Sequence, residues 1–387
     1  MRSVVVAKFV PWPPNSGDKR RVLGIVRALR RQGPVTLCAF AGDTEDAAPL
    51  EAEGIEVRSV PLTRRPIDVV RGLVRARSIT AARFWDPRLR QLVVEAAATP
   101  PDALVVEHVQ LLPYAAGLSA GLTVVDMHNV ESQLTHRMAD SASGPRRLVF
   151  AAEARALKAA ERRVTAVDVV AVVSEADRRT LSEVVTHPRV VVVPNAWDEV
   201  DPLPPAERPV VSLVALLSWG PNVDAAVWFT REVWPAVVAA VPGAHLQLVG
   251  RDPAEKVRRL AGPDVEVTGT VDDLAPWYAK TRVCVAPLLA GGGSRLKILE
   301  ALAAGRPMVA TSIGAEGLED LIGRGVLTED DPTRMAAAIA ALLTDPERSA
   351  ELGRQGAAAV AADHSWTAAV RPLLSALDTG SDSPGGS

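Results

Sequence analysis

Ala286-Pro287-Leu288-Leu289-Ala290-Gly291-Gly292-Gly293-Ser294-Arg295-Leu296-Lys297-Ile298-Leu299-Glu300-Ala301-Leu302-Ala303-Ala304-Gly305-Arg306-Pro307 decides how this chain is read. The run before it, Arg282-Val283-Cys284-Val285, is β-branched and reads as a buried strand. Three glycines follow, then good helix formers that stop at Gly305 with Pro307 just beyond. A strand, a glycine turn and a helix start leave backbone N–H groups unpaired and pointing outward, where they can receive an anion. Leu296, Ile298, Leu299, Leu302 and Ala303 leave the helix little face for solvent, which predicts burial. Lys297 and Glu300 nonetheless sit three residues apart on one stripe with Gly293. Arg295 falls in the first turn, where the helix dipole disfavours a cation unless an anion is also present. Two cations at a helix start, with a carboxylate one turn on, suit a diphosphate joined to a ribose. The alternative is a phosphate-free turn carrying a Lys297–Glu300 surface pair.

The chain around this stretch has 387 residues. That length accommodates two domains of about 150–200 residues each. Hydrophobic content of 48% with 23% charge is that of a soluble globular protein. Cys38 and Cys284 lie in apolar strand-like runs without metal-ligand spacing, and read as core residues in a reducing compartment. No apolar run approaches the ~20 residues that span a bilayer. Met1-Arg2-Ser3-Val4-Val5-Val6 leads directly into a strand rather than a signal peptide, so a cytoplasmic location is expected. The net charge of −3 divides unevenly: 27 Lys+Arg against 23 Asp+Glu up to residue 200, and 16 against 23 beyond it. That asymmetry can serve an anionic acceptor or a membrane surface. It is too small for nucleic acid, and 4% aromatic residues supply no stacking platforms.

Strand-like and helical runs alternate throughout, the pattern of parallel sheets flanked by helices. Strands are expected at Val4–Val10, Val35–Ala41, Glu56–Val60, Ala103–Glu107, Leu122–Asp126, Asp168–Val173 and Val190–Val193. The first ends in the rigid loop Pro11-Trp12-Pro13-Pro14-Asn15-Ser16-Gly17, and an arginine-rich helix follows. A long helix is expected over Arg146–Thr165; its Arg155, Lys158, Arg162 and Arg163 form a solvated face or touch an anionic membrane. A linker falls near Pro194-Asn195-Ala196-Trp197, giving domains 1–197 and 198–364, a terminal helix over 365–377 and a disordered tail, 378–387. Beyond the linker, strands are expected at Val210–Leu217, Leu246–Val249, Val265–Thr268, Val283–Ala286 and Met308–Ala310, with one helix over Asp224–Val241. Trp219 reads as a core residue near the domain junction.

With these residues in view, the chain resembles the retaining glycosyltransferases of the GT-B fold, family four. Ser218-Trp219-Gly220-Pro221-Asn222-Val223-Asp224-Ala225, Gly291 to Pro307, and Gly314-Ala315-Glu316-Gly317-Leu318 carry the resemblance in the second half. Asp126-Met127-His128-Asn129-Val130-Glu131-Ser132 and Val173-Ser174-Glu175-Ala176-Asp177 carry it in the first. It implies two Rossmann-like, doubly wound α/β domains facing across a cleft, with the terminal helix crossing back to the first. It implies a nucleotide-sugar donor on the second domain, and a small-molecule, lipid-linked or glycan acceptor on the first. Glu300 would take the ribose hydroxyls, since an ionised carboxylate only accepts. Arg295 and Lys297 would hold the diphosphate with N–H groups of Gly292, Gly293, Ser294 and Leu296. The base would lie near Gly250, Arg251 and Val271. His128 would face the transferred sugar and the nearer phosphate, and Gly17 would let backbone approach that phosphate. Asp126 or Glu131 could orient His128, and Glu107-His108, at another strand end, could line the acceptor side.

Two positions depart from the family pattern. Gly292 stands where many members carry a glutamate for the donor sugar, and Pro221-Asn222-Val223-Asp224 supplies no cation where a pair is usual. Arg295 and Lys297 are expected to take over that task. No Asp-x-Asp or His/Cys cluster offers a divalent site, so neither metal nor cofactor is expected. Other GT-B chemistry, as an epimerase or a phosphorylase, and a non-catalytic binding protein are the alternatives.

Overall fold

Strands of almost unbroken valine and alanine are buried on both faces, which suits parallel sheets covered by helices on each side. The structure, a computed structural model, describes residues 1–42, 44–62, 78–141, 144–198, 200–290 and 296–378. The first sheet contains β1 (Ser3–Ala7), β2 (Val35–Ala41), β3 (Glu56–Pro61), β4 (Ala103–Glu107), β5 (Leu122–Met127), β6 (Val169–Val172) and β7 (Val190–Val192). Their order is β3-β2-β1-β4-β5-β6-β7. The second contains β8 (Val210–Val214), β9 (His245–Val249), β10 (Val265–Gly269), β11 (Val283–Ala286), β12 (Met308–Ala310) and β13 (Val326–Thr328), ordered β10-β9-β8-β11-β12-β13. Each pairing between these strands is parallel. The fold is GT-B-like α/β, with two doubly wound parallel sheets.

The chain divides into two units, Met1–Asn195 with the segment from Ala369 onward, and Ala196–Ala368. In the first, alternate residues of one strand feed opposite faces of the sheet. Val5 and Ala7 join α1 (Gly17–Gln32) in one apolar layer, while Val4 and Val6 join the helix Pro87–Ala96 in another. The last helix, Arg371–Asp378, adds Leu373, Ala376 and Leu377 to the layer that holds α1. The Arg189 guanidinium donates to the Ala376 carbonyl and fixes that helix to the start of β7. Trp366 precedes the return and belongs to the second unit. The tail beyond residue 378 lies outside the described residues.

Several elements differ from expectation, each for a local reason. The long basic helix expected over Arg146–Thr165 is present as α3 (Pro145–Glu161), closed by a tighter turn over Arg162–Ala166, but a helix that was not expected, α2 (Glu131–Ser141), precedes it. Gly144 at φ 61° and Pro145 set the start of α3. The helix expected over Asp224–Val241 is two, Gly220–Trp228 and Trp234–Ala240, joined by a wide π-type turn where Pro235 offers no N–H. The strand β13, in which Val326 and Leu327 are the apolar residues, was not expected. Trp219 is 39% exposed and not a core residue. Both cysteines are buried free thiols, pushed up to about 12 chiefly by burial.

In the second unit, Ile298, Leu299, Ala301 and Leu302 bury α4 (Leu296–Ala303) as its composition requires. Two glycines at the strand exits allow backbones to touch. A methyl group on Gly250 would lie 1.7 Å from the Ala215 carbonyl oxygen, and one on Gly314 would lie 2.0 Å from that of Ala286. Both neighbours are backbone atoms and cannot swing aside. Gly250→Ala is therefore expected to cost more than about 1 kcal/mol in chemical denaturation, even with no ligand present. Unchanged stability would show that Gly250 is dispensable to the packing.

Candidate functional site

In an open parallel sheet, a crevice forms at the carboxyl ends of two neighbouring strands whose connections run in opposite directions. In the first sheet the chain runs outward from β1 through β3, then returns to β4 and runs the other way to β7, so that crevice lies between β1 and β4. The side chains that crowd this edge are Asp18 in the first turn of α1, Glu107 and His108 at the end of β4, and Asp126 and His128 at the end of β5. Register sets Glu107 directly beside Asp126, both with no solvent exposure. Ser16 caps α1, with Gly17 in its first position, and so aims the Asp18 turn at the two histidines.

One carboxylate oxygen serves both rings. Asp18 Oδ1 lies 2.7 Å from His128 Nδ1 and 2.9 Å from His108 Nε2. On its other side, His128 Nε2 lies 2.9 Å from Glu107 Oε2 and 3.3 Å from Asp126 Oδ2. With carboxylates against both nitrogens, His128 is an imidazolium. Burial pushes it down, but bonds to Asp126, Asp18 and Glu107 hold it well above the ordinary histidine range. His108 is its opposite. Burial and then the neighbouring His128 cation push it to about 3, so it is neutral, with its ring centroid 3.6 Å from that of His128. Its backbone has φ 81°, a conformation that costs a non-glycine residue on the order of 1–3 kcal/mol. The bond from its N–H to the Asp126 carbonyl, 2.8 Å, helps hold it there.

Arg21 completes the cluster. Its Nε and Nη2 donate to the two Asp126 oxygens at 2.7 and 2.6 Å, and Nη1 donates to the Val193 carbonyl at 2.8 Å. Burial pushes Asp126 up, yet the guanidinium outweighs it and holds the carboxyl low. Glu107 lacks such a partner. Burial, then repulsion from Asp126, raise it to about 7 despite its bond to His128. Glu107 Oε1 and His108 Nδ1 are buried and have no hydrogen-bond partner among the described residues. The two sets Asp18–His108–His128 and Glu107–Asp126–His128 each bring their ligand-type atoms within 4.8 Å, as a metal site would. A metal on either set requires His128 to give up a proton now held against a carboxylate, Asp18 at Nδ1 or Glu107 and Asp126 at Nε2.

The second sheet repeats the topology, with its crevice between β8 and β11. Gly250 and Arg251 follow β9, Val271 follows β10, and α4 opens after the exit from β11. Leu296, Lys297 and Glu300 thus gather at the carboxyl edge with them. Glu300 is buried, while the Lys297 side chain is 47% exposed with its Nζ 2.5 Å from Glu300 Oε2. Gly292, Gly293, Ser294 and Arg295 lie outside the described residues. The Thr311 hydroxyl, donating to the Leu288 carbonyl at 2.6 Å, ties the exit of β11 to that of β12. Leu216, Trp219, Leu289 and Ile313, all large and exposed, sit on the loops leaving β8, β11 and β12. Apolar groups left uncovered at a strand-end crevice are what a ligand's flat or apolar parts would contact.

Two family descriptions match the chain: "Glycosyl transferase 4-like domain" over residues 16–196, and "Glycosyl transferases group 1" over 208–345. The chain belongs to the group 1 glycosyltransferases. Solved structures agree in fold. This glycosyltransferase is 20% identical to sucrose-phosphate synthase of Thermosynechococcus elongatus, with a TM-score of 0.68 and 98% of each chain covered. It is 16% identical to HepE of Anabaena in complex with UDP-glucose, with a TM-score of 0.66, covering 98% of this chain and 100% of that one. Against TarM the identity is 16% and the TM-score 0.60, over 75% of this chain; the glycosyltransferase spans only 58% of TarM's length. No curated protein matches it in sequence.

Sequence reasoning singled out His128, Asp126 and the Glu107-His108 pair, but not the two α1 residues that organise them. Asp18 and Arg21 were read only as part of an arginine-rich helix, and their partners lie about a hundred residues away in the chain. Asp126 does contact His128, whereas Glu131 forms no hydrogen bond with it among the described residues. The cluster predicts a particular pH response. A carboxyl at about 4.3 unfolded and about 7 folded stabilises fully below the lower value, and that contribution is lost as pH rises through the higher one. Glu107→Gln has no such loss. Its melting temperature should therefore gain on the wild type between pH 5 and 7, by about the span of that titration, and hold level above it. A gap that does not change with pH would mean that Glu107 does not carry the proton.

Proposed function

We propose that the enzyme transfers a sugar from a nucleoside-diphosphate donor, held at the β8/β11 edge, to an acceptor hydroxyl, with retention of anomeric configuration and without a metal. The observation that carries the reading is the start of α4, where exposed Lys297 stands on buried Glu300 at a strand-end crevice. Breaking the bond from the anomeric carbon to the diphosphate builds negative charge on the leaving oxygens. Lys297, Arg295 and the N–H groups of the helix start are the groups suited to receive it, and fixed cations stabilise that charge more in the transition state than in the ground state. They do the work that a divalent ion would otherwise do. Glu300 then accepts from the ribose hydroxyls, and Gly250, Arg251 and Val271 border the base.

His128 fits the role that the family resemblance gives it, toward the transferred sugar and the nearer phosphate, because a held imidazolium favours an anion. His108, neutral and strained beside it, suits the acceptor hydroxyl. HepE structures contain UDP and UDP-glucose, which makes UDP the first nucleotide to try. The reducing state expected for both buried thiols fits a cytoplasmic enzyme.

A melting panel with UDP, GDP, ADP, CMP and dTDP identifies the nucleotide, since a selective ligand raises apparent stability according to its affinity. With that donor, Lys297→Ala and Arg295→Ala should each lower turnover by roughly a hundredfold or more with the fold intact. Turnover should survive EDTA, and NMR of the product should show the donor's anomeric configuration. Near-normal rates in the folded variants, or inactivation by EDTA that manganese reverses, would overturn the mechanism.

A further inference from the structure

The α2–α3 hairpin carries a surface that glycosyl transfer leaves unused. Leu148 is 74% exposed, the most of any large apolar residue described, and Val149 beside it is 53% exposed. Both lie in the first turns of α3 directly after Arg146 and Arg147, which are exposed as well. Arg137 and Met138, also exposed, lie on α2, which packs along α3. Further along α3, Leu148, Ala152, Arg155 and Ala159 recur at helical spacing, and all face solvent. Alanine is ordinary on a solvated helix, but Leu148 with Val149 exposes more aliphatic surface in one turn than solvation calls for.

On α3 the exposed charge has one sign, whereas the exposed acid of α2, Asp140, lies 3.8 Å from His136 on its own helix. Every exposed charged residue from 144 to 167 is basic: Arg146, Arg147, Arg155, Lys158, Arg162 and Arg163. The two acids of α3 are turned away and already occupied. Glu153 accepts from the backbone N–H groups of Ile79 and Thr80, each at 2.9 Å, and from the Ser78 hydroxyl at 2.6 Å. Glu161 accepts from the Ser132 N–H at 2.9 Å and from its hydroxyl. That second contact also roots the hairpin, because Ser132 lies in the first turn of α2, four residues beyond His128.

We propose that this hairpin seats the protein on an anionic lipid bilayer. Aliphatic side chains in one exposed turn enter the boundary between headgroups and acyl chains, while arginines on long stems reach the phosphate plane. A helix of 17 residues is about 25 Å long, enough to lie along a surface rather than touch it at a point. No described helix is long and apolar enough to cross a membrane, so the attachment is peripheral. An acidic protein partner would satisfy the arginines, but it would leave the leucine–alanine stripe without an apolar counterpart of its own.

The test uses the full chain and sedimentation with two vesicle types, phosphatidylcholine alone and phosphatidylcholine mixed with phosphatidylglycerol. The protein should partition onto the anionic vesicles and be released at high salt. Each cation near such a surface is worth about a fivefold gain in partitioning, so Arg146→Glu with Arg147→Glu should lower it by at least tenfold. Leu148→Ser with Val149→Ser should weaken it at every salt concentration. Arg258→Glu with Arg259→Glu, a basic pair in the second unit, should leave it unchanged. Salt release of the wild type needs no variant and stands even if a variant melts early. Absence of binding, equal binding to neutral vesicles, indifference to the hairpin changes, or capture of an acidic protein without vesicle binding would each overturn the proposal. Donor hydrolysis without vesicles should be the same in all these variants, so docking and glycosyl transfer fail separately.

Discussion

A buried guanidinium governs the first unit. Arg21 is 1% exposed and clasps Asp126 with two parallel bonds while reaching the carbonyl that follows β7. The pair thereby joins α1, β5 and the far end of the sheet in one geometry. Such pairs are weak stabilisers relative to apolar packing, but losing one partner strands a charge, at about 3–5 kcal/mol. Its larger effect is on its neighbours. With Asp126 neutralised by Arg21, the remaining negative charge of the cluster falls to Asp18 and Glu107, and His128 answers it. Without Arg21, Asp126 and Glu107 would compete for the same proton at zero exposure. His128 could then no longer be held between fixed partners.

That arrangement explains why two stacked imidazoles can differ in charge. Two cations with ring centroids 3.6 Å apart would repel strongly in a buried setting, so only one ring is protonated. Geometry chooses His128, which has carboxylates on both nitrogens, and leaves His108 with a single carboxylate contact and an unpaired Nδ1. The strained backbone at His108 belongs to the same choice. A relaxed strand exit would carry the ring elsewhere, and the N–H to Asp126 carbonyl bond holds it against that pull.

The sequence carried much of this fold because its strands are buried on both faces. Runs such as Val4-Val5-Val6 and Val169-Val170-Ala171-Val172 have no other reading, and Gly305 with Pro307 marks the end of α4. The start of α3 was legible just after Gly144-Pro145, whereas α2 was hidden because Leu134 and Met138 are its only large apolar residues and give little periodicity. His128 was legible as a histidine after a strand. Asp18 was not, since nothing local distinguishes an acid in the first turn of a basic helix from an ordinary dipole partner. Its meaning comes from the register that brings β4 and β5 to the same edge, and register between distant strands is not written in any one segment.

The two crevices share a topology but are equipped by different chemistry, and the difference follows from what each can bind. At the β1/β4 edge the polar groups are side chains that already satisfy one another, which fixes charge in advance and leaves only Glu107 poised to exchange a proton near neutrality. At the β8/β11 edge the charged pair at the start of α4, among the described residues, is Lys297 with Glu300. Lys297 and Glu300 pair on the first turns of a helix whose core-facing residues are fully buried, so the packing that holds the helix does not depend on the pair. A ligand that takes the lysine with one group and the carboxylate with another breaks a half-exposed ion pair, and such a pair is worth little in water. The same charges, once water is excluded, act on the ligand at much lower dielectric. A weak pair on a rigid helix is therefore cheap to open and strong once occupied. An anion linked to a hydroxyl-bearing ring can engage both charges at once, with an acceptor for the lysine and a donor for the carboxylate.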